Sequence, residues 1–171
     1  GAALAAALAP ILLLGAAQSV VAVRREADER RVVLMAAAER SAVAANYRIQ
    51  GAQIMLHIAA TQAGGGDCSS LQRLLVNRPR GYANFMRFDP QGGLVCSVAP
   101  VGADPGRGQS GWFQALKGGA TSVAVRAPQG VYDREPAVIV GTREMDPHGR
   151  FEGVRASIIL LSALMPDLSD R

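Results

Sequence analysis

The chain has two cysteines, Cys68 and Cys96, which lie 28 positions apart. Two thiols can form a disulfide, bind a metal ion, act as nucleophiles or serve as reversible redox sensors. A metal site is disfavoured because the only histidines, His57 and His148, do not share a recognisable ligand spacing with the cysteines. A catalytic thiol is disfavoured because neither cysteine has a nearby histidine in sequence. A disulfide and a pair of redox-sensing thiols remain as interpretations.

The sequence supports neither another kind of catalytic site nor a nucleic-acid-binding surface. The sequence has no G-x-S-x-G or H-E-x-x-H motif and no pair of carboxylates on a recognisable scaffold. The net charge is +4, and only Lys117 among the 18 basic residues is a lysine. Because no basic stripe is interleaved with aromatic residues, a nucleic-acid partner is disfavoured. We expect no enzymatic activity in this segment, no cofactor, no bound metal and no nucleic-acid partner.

The N-terminal residues 1–23 are almost entirely apolar, with Gln18 and Ser19 as the polar side chains. About 22 residues of helix can span a bilayer core, so we predict a transmembrane helix here. A cleaved signal peptide is the alternative, because an Ala-rich run that ends in small residues resembles one. We favour the anchor because Val20 to Gln62 contains no proline, so the apolar helix is expected to continue. Arg24 and Arg25 directly after the span favour the cytoplasm under the positive-inside rule, so charge alone leaves the orientation open.

Residues 24–62 are rich in helix-forming residues, which predicts one long helix. Two interpretations of its surface stay open: a parallel homodimer seam along this helix, or an amphipathic helix packed on its own domain. Both can hold, with the N-terminal half of the helix pairing and the half that contains Ile54, Met55 and Ile58 covering a sheet. His57 lies near that apolar face and is expected to be packed. The weak seven-residue repeat of small and apolar residues consists of Val23, Ala27, Leu34, Ala37, Ser41, Ala44, Gly51 and Ile58.

Residues 63–171 form the third segment, in which the pattern changes from helical to alternating after a glycine run. Each predicted strand is bounded by turn residues such as Asp, Pro and Gly. The result is an α+β fold with one five-stranded antiparallel sheet. One face is left for the N-terminal helix and the other for inserted loops between Ala99 and Arg126, which can enclose a ligand cavity. The predicted elements are a helix at 68–76, a hairpin of 82–88 and 94–98, a helix at 112–116, strands at 121–126, 137–143 and 151–161, and a helix that starts at 162.

Three parts of the sequence carry a resemblance to a known family: residues 68–97 with the turn and strand FDPQGGLVCS, GWFQAL at 111–116, and PAVIVGTREMDPHGRFEGVRASI at 136–158. Together they resemble the extracytoplasmic Cache (PAS-like) sensor domains of bacterial transmembrane receptors, over residues 24 to about 164. The resemblance implies a PAS-like sheet, the sensor lobe of residues 63–171, with the long helix of residues 24–62 packed on it as the signalling helix. It also implies an inner-membrane protein whose residues after about 24 lie in the periplasm.

The function that the resemblance implies is sensing of a small-molecule ligand or a stress, followed by signal transduction across the membrane. The segment looks most like the sensor domains of histidine kinases, which belong to two-component systems. Alternatives are the sensor lobe of a diguanylate cyclase or chemoreceptor, and a ligand-free structural dimerisation module. In a periplasmic domain, two cysteines favour a disulfide between Cys68 and Cys96.

The ligand-binding residues are also taken from the resemblance and from the expected alternation along the strands. Trp112 and Phe113 match the aromatic pair that lines the pocket in many relatives. The amino-acid-binding members carry an arginine two residues before the tryptophan, whereas Ser110 stands there in this chain. An amino-acid ligand is therefore disfavoured. An arginine in the pocket could bind a carboxylate or phosphate, and the full set is Phe85, Arg87, Trp112, Phe113, Tyr132 and Arg143.

Overall fold

A computed structural model describes residues 2–62, 71–73, 81–102, 107–127 and 134–164, and within the first helix it describes the side chains of residues 18, 19 and 21–60. The contacts divide the chain into residues 1–42 and 43–171, which we describe separately. In chain order the elements are α1 (Ala2–Gln62), β1 (Tyr82–Phe88), β2 (Leu94–Ser97), a 3₁₀ turn (Arg107–Gln109), α2 (Gly111–Lys117), β3 (Ser122–Arg126), β4 (Ala137–Met145), β5 (Phe151–Leu160) and α3 (Leu161–Leu164).

The five strands form one antiparallel sheet in the order β2-β1-β5-β4-β3. The predicted α+β class is therefore confirmed, and the strand boundaries agree within two residues. The predicted helix at 68–76 lies largely outside the described residues, of which 71–73 are helical. The central strand, β5, pairs with β1 on one side and β4 on the other. It is buried over most of its length, as a strand covered on both faces must be.

One face of the sheet, here called the α1 face, is covered by the second half of α1. Ala52, Leu56 and Ala59 are buried there. Small residues at two of these three positions let the helix backbone approach the strands closely. The half of the helix that contains Ile54, Met55 and Ile58 therefore covers the sheet, as expected. Met55 packs on the core, whereas Ile54, Ile58 and His57 are exposed, so the expected packing of His57 is wrong. The sheet residues beneath the helix are Tyr82, Phe85, Val140 and Ile159.

The opposite face, here called the α2 face, is covered by α2. Gly141 on β4 allows this helix to lie close, since a β carbon there would come within 2.9 Å of Leu116 Cδ1. Alternation along the strands sends neighbouring residues to opposite faces, so the sheet has a core on each side. The buried residues on this face include Met86, Phe88, Trp112, Phe113, Leu116, Ile139, Val154, Ala156 and Ile158.

The two predicted Asp-Pro turns are present, and each aspartate organises its own turn. The Asp89 carboxylate accepts hydrogen bonds from the backbone N–H groups of Gln91 and Gly93. The Asp146 carboxylate accepts them from His148 and Arg150. Asp side chains favour turns because they can bond to the backbone two residues further on. These turns close the β1–β2 and β4–β5 hairpins.

In the first unit, residues 1–42, the described residues 2–42 are all helical and belong to α1. It carries an exposed ion pair between Arg30 and Glu26 and a hydrogen bond from the Ser41 hydroxyl to the carbonyl of Ala37. Within the described residues, no helix combines the length and the hydropathy needed to cross a membrane. Side chains 1–17 lie outside that description, and the membrane span over residues 1–23 stays a prediction.

Candidate functional site

Four aromatic rings form a continuous row on the α2 face of the sheet. Trp112 lies 5.7 Å from Phe88 and 5.8 Å from Phe113, measured between ring centroids. Phe113 lies 6.1 Å from Phe151. All three contacts are edge-to-face, the arrangement that places the positive edge of one ring on the negative face of the next. The row joins the end of β1, two residues of α2 and the start of β5.

An arginine lies at each end of this aromatic row. The Arg107 guanidinium is 5.6 Å from the Phe88 ring centroid and donates a hydrogen bond of 2.7 Å to the carbonyl of Gly102. The Arg143 guanidinium is 5.8 Å from the Phe151 ring centroid. A cation within about 6 Å of a ring face is attracted by the ring quadrupole. Two positively charged guanidinium groups therefore lie against aromatic rings on the α2 face.

The α1 face holds a different arrangement of charge, in which one glutamate bridges two arginines. Glu144 accepts hydrogen bonds from Arg87 Nε at 2.8 Å and from Arg155 Nη2 at 2.6 Å. Arg87 also lies 3.4 Å from Glu152. Arg155 is only 1% exposed, so its charge requires this pairing. The cluster contains two arginines and two glutamates, so its formal charges cancel.

The pKa of Glu144 reflects two opposing causes. Burial alone would raise the pKa of this carboxyl group, but hydrogen bonds and positive charge from Arg155 and Arg87 lower it below its ordinary value of 4.5. Glu144 is consequently ionised near neutral pH, as both arginines require.

The structure divides five of the six predicted ligand residues between the two faces of the sheet. Trp112, Phe113 and Arg143 share the α2 face. Phe85 packs under α1 and stacks on Tyr82 with ring centroids 5.8 Å apart, while Arg87 pairs with Glu144. We predicted that Phe85 and Arg87 lie beside the inserted loops, and this is wrong because both lie on the α1 face. Tyr132 lies outside the described residues.

Cys96 lies on β2, directly opposite Arg87 of β1 in the sheet register. It is disulfide-bonded and packs partly against the core of the α1 face. Cys68 lies outside the described residues, so its pairing with Cys96 stays a prediction. No group of three metal-ligating side chains occurs in the described segments of the chain.

A separate cavity of about 440 Å³ lies where β3 and β4 meet α3. Val138 places it on the α1 face, because this residue packs with the core under α1. It does not border the aromatic row. Its lining residues are Arg126, Glu135, Pro136, Val138, Leu161 and Ser162.

Sequence reasoning missed several residues of these clusters. Phe151 completes the aromatic row, and its position directly after a turn, at the start of an apolar strand, was a usable signal. Arg155 is a single charge inside the apolar run VRASIIL, which indicates a buried ion pair, and Glu144 stands in the preceding strand. Arg107 had no signal, because the glycine-rich segment around it predicted only a loop.

No protein-family model matches this chain, and no curated protein is similar enough in sequence to match it. Solved structures that share the fold of this chain include ligand-binding domains of receptors. The chemoreceptor CtaA of Pseudomonas fluorescens, in complex with L-leucine, has a TM-score of 0.58 at 18% identity over 78% of this chain and 60% of that chain. The chemoreceptor PctC of Pseudomonas aeruginosa PAO1, in complex with GABA, has a TM-score of 0.56 at 16% identity over 74% and 61%.

An extracellular ligand binding receptor from Desulfohalobium retbaense DSM5692 has a TM-score of 0.56 at 17% identity, over 72% of this chain and 25% of that chain. This chain therefore covers 61% or less of each of the three structures. At such identities the likeness establishes a shared fold, which is that of Cache-like ligand-binding domains.

Proposed function

We propose that this chain is the extracytoplasmic ligand-sensing domain of a membrane signal-transduction receptor and has no catalytic activity. The observation that carries the proposal is the fold, which this chain shares with ligand-binding domains of chemoreceptors. Those proteins are described with amino acids or GABA bound. For this chain we propose a small molecule of undefined identity, bound on the α2 face beside Trp112, Phe113 and Arg143, with Tyr132 as a further contact.

The signal would leave the domain through the long helix. In this proposal residues 24–62 carry a change in the sheet towards a membrane helix at residues 1–23, with the remainder of the chain in the periplasm. Ligand binding can shift the helix only by its differential affinity for two arrangements of the domain, typically about 1 to 3 kcal/mol. Ala52, Leu56 and Ala59 connect the helix to the sheet and support this route.

We further propose that the domain acts as a homodimer through this helix. Among the large apolar residues exposed on it, four lie in its second half: Val43 at 48%, Tyr47 at 70%, Ile54 at 60% and Ile58 at 44%. They are separated by four, seven and four positions, so at about 100° per residue they fall within a stripe about 60° wide. This stripe, here called the 43–58 stripe, has the spacing of a coiled-coil seam.

The output of the receptor is proposed to be a histidine kinase of a two-component system, on the sequence resemblance alone. A chemoreceptor or a diguanylate cyclase would use the same sensor domain. We also propose that Cys96 pairs with Cys68 and ties β2 to the segment that precedes the sheet. The bonded state of Cys96 supports this pairing.

A structural dimerisation module without a ligand is the second candidate function. Phe88 and Phe113 are fully buried and Trp112 is nearly so, which shows how tightly side chains fill the centre of the α2 face. In this alternative the aromatic row is only a core, and the 43–58 stripe is the functional surface.

Thermal melting of the full chain against a small-molecule library separates the two candidates. Trp112 is the only tryptophan, so its fluorescence reports directly on the aromatic row. A ligand that binds the folded state raises the melting temperature and changes this emission. If no compound does either, while the chain sediments as a dimer, the structural module is the better description.

A further inference from the structure

The cavity of about 440 Å³ on the α1 face, here called the α3 cavity, lies between α3 and the strands β3 and β4. Two bonds tie α3 to the segment that leads into β4. The backbone N–H of Leu161 donates to the carbonyl of Pro136 at 2.8 Å, and the Ser162 hydroxyl donates to the Glu135 carboxylate at 3.3 Å. The volume falls within the range of about 300 to 1,000 Å³ that is typical of small-molecule sites.

The helix α3 is also held from its other side. A β carbon on Gly81 would collide with the β carbon of Ala163, and the φ of +95° at Gly81 favours glycine as well. The carbonyl of Gly81 accepts a hydrogen bond of 2.9 Å from the N–H of Leu160, and Leu164 packs against the core under α1. The wall that α3 forms is therefore fixed in place, so the cavity exists before any ligand arrives.

The interior of the α3 cavity is apolar. Val138 and Leu161, which are half-buried, and the exposed Pro136 form this part of its lining. Water in a concave apolar site is displaced favourably by an apolar ligand. The interior therefore suits the hydrocarbon part of a small molecule.

The rim of the α3 cavity is polar and carries both signs of charge. Arg126, Glu135 and Ser162 line the cavity and are exposed, so they lie where it opens to solvent. A guanidinium can only donate hydrogen bonds, whereas an ionised carboxylate can only accept them. The rim therefore offers a donor and an acceptor whose formal charges cancel.

We infer that the α3 cavity is a second ligand site, and that its ligand is a small uncharged molecule with an apolar body and one hydroxyl or amide group. Such a group both donates and accepts, so it can accept from Arg126 and donate to Glu135. An anionic group would be repelled by Glu135 and a cationic group by Arg126. This inference goes beyond the proposed function and does not depend on it, because the cavity lies on the other face of the sheet from the aromatic row.

The test compares three probes that share a six-carbon chain: 1-hexanol, hexanoate and hexylammonium. The full chain is titrated with each probe at pH 7 and constant ionic strength by calorimetry, and hydrogen–deuterium exchange locates the bound probe. We expect saturable binding of 1-hexanol that is tighter than that of either ion, with slower exchange in residues 134–138 and 161–164. Trp112 emission should not change, because the cavity does not border the aromatic row.

Val138→Phe should block the site, because the larger side chain occupies the space that the probe needs. We expect 1-hexanol binding to weaken at least about tenfold. Val95→Phe is the matched control, since it makes the same substitution at a position that is 45% exposed on β2, at the opposite edge of the sheet. It should leave the binding within about twofold. Melting curves of both variants report whether they fold.

Two exposed substitutions test the chemistry of the rim. Glu135→Gln removes the repelling anion and should strengthen hexanoate binding by about two- to fivefold, the effect of one exposed charge. Arg126→Gln should strengthen hexylammonium binding to a similar degree. The comparison of the three probes on the wild-type chain needs no substitution, so it stands even if Val138→Phe folds poorly.

The outcomes separate this inference from the proposed function. An absence of saturable 1-hexanol binding, tightest binding of an ion, or equal binding by wild type and a folded Val138→Phe variant overturns the inference. None of these results concerns the α2 face, on which the sensor proposal rests. If 1-hexanol instead slows exchange in residues 107–120 and changes Trp112 emission, the inference about the α3 cavity fails and ligand binding beside the aromatic row is supported.

Discussion

The backbones of Gly92 and Gly108 are in direct contact, so that a β carbon on Gly92 would overlap the α carbon of Gly108. The first residue lies in the β1–β2 turn and has a φ of +89°, and the second lies in the 3₁₀ turn before α2. A β carbon on Gly108 would in turn collide with the carbonyl oxygen of Gln91. This contact fixes the 3₁₀ turn, and with it Arg107 and the start of the aromatic row, against the hairpin.

Replacement of Gly108 by alanine is therefore expected to push the 3₁₀ turn away from the hairpin. We predict a loss of about 1 to 3 kcal/mol in the free energy of unfolding, the usual result of a steric conflict in a packed site. Trp112 emission should also change, because α2 starts two residues after this turn. Gly111→Ala is the control, since nothing lies within 4 Å of a β carbon there. Equal stabilities of the two variants in urea would contradict the role of the glycine contact.

Loss of the Glu144 carboxylate should strongly destabilise the domain. Glu144→Gln leaves Arg87 and Arg155 buried without their shared anion, and we expect the free energy of unfolding at pH 7 to fall by about 3 to 5 kcal/mol. Glu152→Gln is the control, because its side chain is 36% exposed and lies 3.4 Å from Arg87. It should cost less than about 1 kcal/mol.

We also expect the stability difference between wild type and Glu144→Gln to depend on pH. Because the folded-state pKa of Glu144 is lowered, its contribution is present above its ordinary value of 4.5 and is lost as pH falls through the folded-state value. Urea denaturation of wild type and Glu144→Gln should therefore give a large stability difference at pH 7 that shrinks at pH 3. A difference of the same size at both pH values would mean that Glu144 does not act through its charge.

Much of this fold was predictable because local signals agree with tertiary structure. Asp, Pro and Gly residues mark where the strands end, and the turns at Asp89 and Asp146 form as expected. The face on which Phe85 and Arg87 lie was not predictable, because β1 is buried on both sides and offers no polar alternation. The side chains by which the long helix contacts the sheet were not predictable for a related reason: alanines at 52 and 59 are buried against the sheet, while the larger Ile54 is exposed. Hydrophobicity alone favours the larger residue, whereas close helix–sheet approach favours the smaller.

The 43–58 stripe should control self-association. Ile54→Glu places a charge in the middle of the proposed seam, and we expect the dimer dissociation constant to rise at least about tenfold in sedimentation equilibrium. Ile54→Leu preserves apolar surface and should leave it nearly unchanged. The melting temperature of the Glu variant at low protein concentration serves as the folding check, since this position is 60% exposed. A monomeric wild type, or equal association of both variants, would contradict the proposed dimer.

Reduction of the disulfide at Cys96 should destabilise the domain, because this bond anchors β2. A Cys68–Cys96 bond would remove about 3 to 4 kcal/mol of loop-closure entropy from the unfolded chain. Peptide mapping by mass spectrometry should recover the two cysteines in one cross-linked species, and melting after reduction should occur at a lower temperature. Two readily alkylated thiols and an unchanged melting curve would instead indicate redox-sensing cysteines and would remove the periplasmic argument.

The central claim is that a small molecule binds on the α2 face, and hydrogen–deuterium exchange tests it most directly. The full chain would be compared with and without the compound that raises its melting temperature most. We predict slower exchange in residues 107–120 and 141–145, which surround the aromatic row and Arg143. Protection confined to residues 134–138 and 161–164, around the separate cavity between β4 and α3, would contradict the claim and place the ligand elsewhere.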